Sequence, residues 1–130
     1  MNNVKVSVIT PCFNSEKTIQ KTLESMLNQT YNNYEYIIID GKSTDKTLQI
    51  IEKYKPLFGE KIQVYSEPDK GIYDAMNKGI MKASGDIIGI VNSDDYYELD
   101  ALENMVNEVP DDKYFILYGF QRCITKGQED

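Results

Sequence analysis

Four short β-rich runs, each broken off by a polar turn, constrain the fold of this chain most. Val4 to Ile9 is mostly apolar and ends at Thr10-Pro11. Tyr36 to Ile39 ends at Asp40-Gly41, Ile62 to Tyr65 ends before Ser66-Glu67, and Ile87 to Val91, interrupted only by Gly89, runs into Asn92-Ser93-Asp94-Asp95. Runs without strict alternation are typical of strands buried on both faces, as in parallel sheets. Helical patterns lie between them. Ile19, Leu23, Met26 and Leu27 share one face of a helix expected over Ser15 to Asn28. Ser43, Thr44 and Asp45 offer caps for a second helix with Thr47, Ile50, Ile51 and Tyr54 turned inward and Pro56 as its stop. Ile72, Ala75, Met76, Gly79, Ile80 and Ala83 form one stripe over nearly three turns, the clearest helix in the chain. Asp100 and Glu103 have capping-box spacing before Leu102, Met105, Val106 and Val109, and Tyr114 to Phe120 reads as a further strand. The alternation predicts an α/β fold: a mainly parallel, doubly wound sheet with helices on both faces. Its first strand is central, the second and third extend to one side, and the strand ending at Val91 lies on the other.

The chain has 130 residues and shows no internal repeat or linker, so one domain is expected. Its formal charge of -7 argues against nucleic-acid binding, which needs a positive field to release counterions. Arg122 is the one arginine among 14 basic residues, so a bound polyphosphate must be neutralised by lysine, backbone N–H groups or a metal. The absence of histidine excludes Ser-His and Cys-His catalytic pairs, and Cys12 and Cys123 make no disulfide framework. With no signal-peptide pattern and no apolar run long enough for a membrane helix, a cytoplasmic location is expected, at the inner face of the membrane if a longer protein carries an anchor. Asn28-Gln29-Thr30 then reads as a helix-end loop rather than a glycosylation site. The polar tail from Ile124 to Asp130 follows a core strand directly, which suggests an N-terminal piece of something longer.

In a sheet of this kind ligands bind outside the carboxyl ends of the strands, and the suspicious polar residues gather there. Asp94 and Asp95 repel each other unless a cation or solvent compensates, and hard ions such as Mg²⁺ and Mn²⁺ take oxygen ligands together with substrate phosphate. The alternative is that both cap the next segment. Asp40 can accept a hydrogen bond from ribose or from a base N–H, or form an Asx-turn leading to Ser43-Thr44. Thr10-Pro11-Cys12-Phe13-Asn14 lacks the glycines of a dinucleotide fingerprint and is better suited to framing a flat base, with Phe13 as an aromatic surface and Thr10 and Asn14 as polar edges. Phe13 folded back onto the sheet is the other reading. Asp69 can accept a base N–H or a sugar hydroxyl, and Lys70 is the best-placed positive charge; an ordinary turn into a helix needs the same residues. Lys42 reads as a solvated turn lysine or a rim cation, and Asp74 and Asn77 as cleft or surface positions.

Taken together, VSVITPCFNSEKTIQKTLESMLNQTYNNYEYIIIDGKSTDKT and SEPDKGIYDAMNKGIMKASGDIIGIVNSDD resemble the family 2 glycosyltransferases, an inverting group with the GT-A fold. The resemblance spans roughly residues 4 to 100 in motif order and separation. It implies transfer of a sugar from a nucleotide-diphospho-sugar, UDP being the expected nucleoside diphosphate, to an acceptor hydroxyl of a glycan or lipid-linked sugar in polysaccharide or glycan biosynthesis. It further implies that Thr10, Pro11 and Phe13 line the base pocket and Asp40 contacts base or ribose. Asp69 and Lys70 belong to the same donor site, Asp94 touches ribose or metal, and Asp95 is the main protein ligand of Mn²⁺ or Mg²⁺. Asn92 stands where many members carry a first carboxylate.

Residues 1–130 would then be the donor-binding part, with the catalytic base beyond residue 130. Glu129-Asp130 matches the family's E-D pair only superficially. A non-catalytic nucleotide-sugar-binding module and a sugar nucleotidyltransferase are the competing readings, although the latter normally shows a glycine-rich, basic phosphate loop near the first strand.

Overall fold

The computed structural model describes residues 4–108. Four strands, β1 (Val6–Cys12), β2 (Tyr34–Asp40), β3 (Ile62–Ser66) and β4 (Ile87–Ile90), form one sheet in the order β3-β2-β1-β4. All three pairings are parallel, with Cys12 opposite Asp40, Asp40 opposite Ser66, and Ile9 opposite Ile90. This is the order expected from the sequence. The expected strand at Tyr114 to Phe120, together with Arg122, Cys123 and Glu129-Asp130, lies outside the described residues.

Both faces of the sheet are covered, and for that reason β1 and β2 are buried at every position. On one face Val6, Val8, Tyr36 and Ile38 pack with Ile19, Leu23 and Met26 of α1 (Ile19–Leu27) and with Ile51, Tyr54 and Phe58 of α2 (Thr47–Phe58). Leu102, Met105 and Val106 of α4 (Ala101–Asn107) join the same core. On the other face Ile9, Ile37 and Ile39 meet Ala75 of α3 (Ile72–Lys82). Gly79 lets α3 lie close: a Cβ there would come 2.5 Å from Ile9 Cγ2.

Several boundaries differ from the sequence reading. β1 does not stop at Thr10-Pro11 but continues through Pro11 to Cys12. Ile9 O accepts from Val91 on the β4 side and Cys12 O accepts from Gly41 on the β2 side, so the alternation turns Pro11 toward β4, beyond that strand's last rung. Its missing N–H therefore falls where pairing with β4 ends and leaves the β1–β2 ladder intact. Pro56 does not stop α2 but sits exposed in its last turn, where few bonds are lost; the helix runs on to bury Phe58, whose ring centroid is 5.5 Å from that of Tyr36, and ends at Gly59 with φ +64°. α1 begins at Ile19, after a turn in which Ser15 O accepts from Thr18 and Ile19. The expected capping box does not form, because Glu103 accepts from the Thr30 hydroxyl and Asp100 makes no side-chain cap bond. The stripe on α3 is buried only at Ala75 and Gly79; Ile72 and Ile80 are exposed.

Candidate functional site

The carboxyl ends of all four strands open onto one rim, and named hydrogen bonds join their turns. Asn14, at φ +47°, ties the β1 turn to the β2 turn: its Oδ1 accepts from Thr44 N–H at 2.8 Å, and its own N–H donates to Ser43 Oγ at 2.8 Å. Ser15 N–H donates to Thr47 Oγ1 at 2.7 Å. Asp45 accepts from Thr47 N–H and hydroxyl and from Glu16 N–H, and so holds the first residue of α2, although the N-cap position itself is Lys46, one residue after the expected caps, and makes no side-chain cap bond. Desolvation pushes its pKa up, but these bonds outweigh it and hold the carboxyl below its ordinary range.

Asp40 joins the β2 and β3 ends. Its carboxylate is fully buried; Oδ1 accepts from the Ser43 hydroxyl at 2.5 Å and from the Cys12 thiol at 3.4 Å, while Oδ2 accepts from Ser43 N–H at 2.9 Å and the Ser66 hydroxyl at 2.8 Å. Four donors fill the approximate capacity of a carboxylate, so the turn-forming role is realised in full. Burial, reinforced by the Asp40 charge, pushes the Cys12 thiol far up, so it remains a neutral donor.

The β3–α3 turn closes over the β2 end. Glu67 N–H donates to Asp40 O, and Asp69 lies directly above Gly41, where a Cβ would come 2.7 Å from Asp69 Oδ2. Asp69 Oδ1 accepts from Gly71 N–H, and Asp74 accepts from Lys70 N–H, so Asp74 serves its own loop. From below, Lys78 donates to Pro68 O at 3.0 Å and pairs with Glu67 and Asp74. Lys70 is exposed above this brace, and Lys42 is exposed at φ +68° on the neighbouring turn.

The acidic turn is held by α1. The Thr22 hydroxyl donates to Ser93 O at 3.1 Å and, more closely, to Asp95 O; Ser15 and Ser93 share a hydroxyl–hydroxyl bond of 2.7 Å, and Asp95 N–H donates to Asn92 O. Asp94 is exposed and Asp95 half-buried. Asn92 Oδ1 is buried without a hydrogen-bond partner.

Of the residues expected to frame a base, Phe13 projects outward at 57% exposure, which excludes the folded-back alternative. Pro11 is buried in β1. Thr10 is also buried, its hydroxyl bonded to Tyr36 OH at 2.8 Å. Asn14, expected as a polar edge, instead has its carbonyl oxygen committed to the β2 turn. The sequence reading anticipated the Asp40 turn onto Ser43 but missed Ser66 as a second partner of Asp40, Lys78 as the clamp of the third turn, and Thr22 as the anchor of the fourth; spacing alone distinguishes none of these three from ordinary helix and turn residues.

Among the described residues no group of three or more His, Cys, Asp and Glu could hold an ion by itself. Two adjacent carboxylates and an orphaned amide oxygen in one turn nevertheless fit a hard cation whose remaining ligands come from a phosphate. No described helix is long and apolar enough to cross a membrane. An open recess of about 260 Å³ lies beside α1, between that helix and the segment Tyr96 to Leu99.

A family model described as Glycosyl transferase family 2 matches residues 7–130. The chain is 45% identical over 105 residues to the Methanococcus voltae dolichyl N-acetyl-alpha-D-glucosaminyl phosphate 3-beta-D-2,3-diacetamido-2,3-dideoxy-beta-D-glucuronosyltransferase, covering 78% of this chain and 32% of that protein. It is 39% identical over 110 residues to the chondroitin synthase of Pasteurella multocida, covering 83% of this chain and 11% of the synthase. Among solved structures, it resembles S. aureus TarS 1-349 in complex with UDP-GlcNAc, with a TM-score of 0.74 and 34% identity over 79% of this chain and 30% of that one. It also resembles the Pyrobaculum calidifontis mannosyltransferase PcManGT in complex with GDP-Man and Mn²⁺, with a TM-score of 0.75 and 26% identity over 82% of this chain and 32% of that one. The chain thus spans about a third or less of the length of these relatives.

Proposed function

The chain belongs to glycosyl transferase family 2, and from that premise we propose that its 130 residues are the donor-binding part of an inverting, metal-assisted sugar transferase of GT-A fold. The substrate class is a nucleotide-diphospho-sugar, with UDP as the nucleoside diphosphate, and the acceptor is a hydroxyl of a glycan or lipid-linked sugar. One observation carries the reading: the turns after all four strands meet on one rim, with the acidic turn braced to the β1 turn by the Ser15–Ser93 bond.

In this reading Phe13 offers the apolar wall for the base, while the buried Thr10, Pro11 and Asp40 set the wall's position from within. Asp40 contacts base or ribose directly only if a donor group displaces one of its four present partners. Asp69, over Gly41, and Asp94 accept sugar hydroxyls, and Lys70 faces the diphosphate. Asp95 holds Mn²⁺ or Mg²⁺, with Asn92 Oδ1 nearby as a spare acceptor. The ion supplies charge neutralisation to the departing nucleoside diphosphate. Deprotonating the acceptor hydroxyl on the opposite side of the anomeric carbon is a separate task, assigned in this proposal to an acidic residue beyond residue 130.

Titration calorimetry of the intact protein tests this. UDP should bind more tightly with Mn²⁺ than with EDTA, and Asp95→Asn should abolish that difference while leaving the helical circular-dichroism signal unchanged. Equal wild-type affinities in Mn²⁺ and EDTA, or an Asp95→Asn variant with an intact metal response, would reject the assignment.

A further inference from the structure

We propose that Thr22 is a positioning residue for the acidic turn: by binding the backbone carbonyls of Ser93 and Asp95, its buried hydroxyl sets the direction in which the Asp95 carboxylate meets the cation. The inference rests on the function proposed above.

The reasoning begins on α1. Beside its apolar residues the helix carries Thr22 and Ser25, with Gln29 following just past its end, at offsets of 3 and 7, and all three are buried. Buried polar groups are costly unless bonded, and each of these is bonded to the segment that follows β4. Ser25 Oγ accepts from Tyr97 N–H at 3.2 Å; Gln29 Nε2 donates to Glu98 O at 2.7 Å, and its Oε1 accepts from Leu102 N–H at 3.1 Å. Residues 91 to 100 contain no helix or strand. Their path is therefore not fixed by a ladder of their own, and α1 serves as the template for much of it.

Within this ladder only Thr22 reaches the acidic turn. Ile19 and Leu23, on either side of it in sequence, are fully buried in the core against the sheet, so its Oγ1 is carried by a helix face that packing holds in place. Its hydroxyl is shared between Ser93 O and Asp95 O, the carbonyls on either side of Asp94. A side chain leaves its backbone in a direction set by the adjoining peptide planes. Fixing the Asp95 carbonyl therefore fixes one of the two planes that aim its carboxylate. Valine has nearly the shape of threonine but no donor. At position 22 it would fill the same space and leave two carbonyls to turn toward water or other partners.

The experiment measures Mn²⁺ affinity for the UDP-saturated intact protein, UDP affinity in EDTA, and the thermal midpoint, for wild type, Thr22→Val, Thr22→Ser and Ser25→Ala. Loss of a residue that orients a metal ligand typically weakens metal affinity by about 10- to 100-fold. Thr22→Val should fall in that range with UDP affinity in EDTA unchanged, and Thr22→Ser should recover wild-type metal affinity. Ser25→Ala removes a bond further along the segment and should lower the thermal midpoint without weakening Mn²⁺ binding. If Thr22→Val does not fold, Thr22→Cys, with a much weaker donor, takes its place with the same expectation. Unchanged Mn²⁺ affinity in Thr22→Val, or an equal loss in Ser25→Ala, overturns the positioning role alone. A wild type with no Mn²⁺ effect on UDP binding overturns the proposed function and this inference with it.

Discussion

Replacing Asp40 by alanine removes the junction between the β2 and β3 ends. Four donors converge on the buried carboxylate: the Ser43 amide, the Ser43 and Ser66 hydroxyls and the Cys12 thiol. The hydroxyls and thiol can rotate toward other acceptors, whereas the amide cannot. A hydrogen bond to a charged group contributes about 1.5 to 3 kcal/mol net. Counting the amide and one hydroxyl as full losses, and the 3.4 Å thiol contact as negligible, gives about 3 to 6 kcal/mol for Asp40→Ala. That is a large share of the roughly 5 to 15 kcal/mol that holds a domain folded, and for this chain length it corresponds to a fall of about 10 to 20 °C in Tm. Asparagine should cost less than half as much, because its carbonyl oxygen can keep the Ser43 amide and the Ser66 hydroxyl while its NH₂ donates to Ser43 Oγ. Thermal unfolding followed by circular dichroism measures both variants, and UDP titration below both transitions separates the roles of the side chain. Weak UDP binding by a well-folded Asp40→Asn would point to direct contact, whereas a loss confined to alanine would point to the turn. An alanine variant melting within about 3 °C of wild type, under the same scaling, would refute the account of Asp40 as the junction.

Two further outcomes follow from the packing and charge of the same region. In Gly79→Ala the new methyl meets Ile9 Cγ2 at 2.5 Å, so overpacking of about 1 to 3 kcal/mol should outweigh the gain of about 1 kcal/mol in helix propensity; a stabilised variant in urea unfolding would mean that α3 does not press on β1. Asp45 has a depressed pKa in the folded protein, so its contribution to stability is fully present above the unfolded value, near about 4, and is lost as pH falls through the lower folded value. Asp45→Asn should therefore flatten the acid limb of the stability profile, and an unchanged slope in acid-dependent urea midpoints would remove Asp45 from it.

The architecture was legible because burial on both faces leaves a direct mark on composition: VSVIT and YIIID can hardly be anything but interior strands, and strand order follows once helices alternate with them. The ends of the elements were less so. Pro56 carries the usual helix-stop signal, but what extends α2 past it is the burial of Phe58 against Tyr36, a contact between residues far apart in sequence. Pro11 likewise reads as a strand end until β4 is seen to be too short to reach its level. At the rim, sequence located the four turns correctly but could not say which side chains point out. Thr10 and Asn14 carry polar groups suited to a ligand, yet Thr10 is bonded to Tyr36 inside the core and Asn14 to the neighbouring turn. Phe13, apolar and therefore a candidate for the core, is the residue that faces outward. Asp100 and Glu103 had the spacing of a capping box, and a competing partner, Thr30, took the glutamate.

How the rim distributes its charge bears on why a divalent ion belongs to the proposed donor site. Asp40 is compensated by four internal donors, and one oxygen of Asp69 by Gly71 N–H. The acidic turn is built differently: α1 grips its backbone carbonyls while Asp94 stays exposed. A diphosphate approaching that turn adds negative charge to negative charge, and the lysines available on the adjoining turns, Lys42 and Lys70, are point charges on flexible stems rather than a bidentate clamp. The described residues do not assemble a complete ion cage, and the donor's phosphate oxygens are the natural source of the missing ligands. Ion and nucleotide then each complete the site for the other. In such a coupled site the angle of the Asp95 carboxylate matters more than in a closed protein cage, because the described residues supply no such cage to correct it, and that places the burden of geometry on the helix residue that aims it.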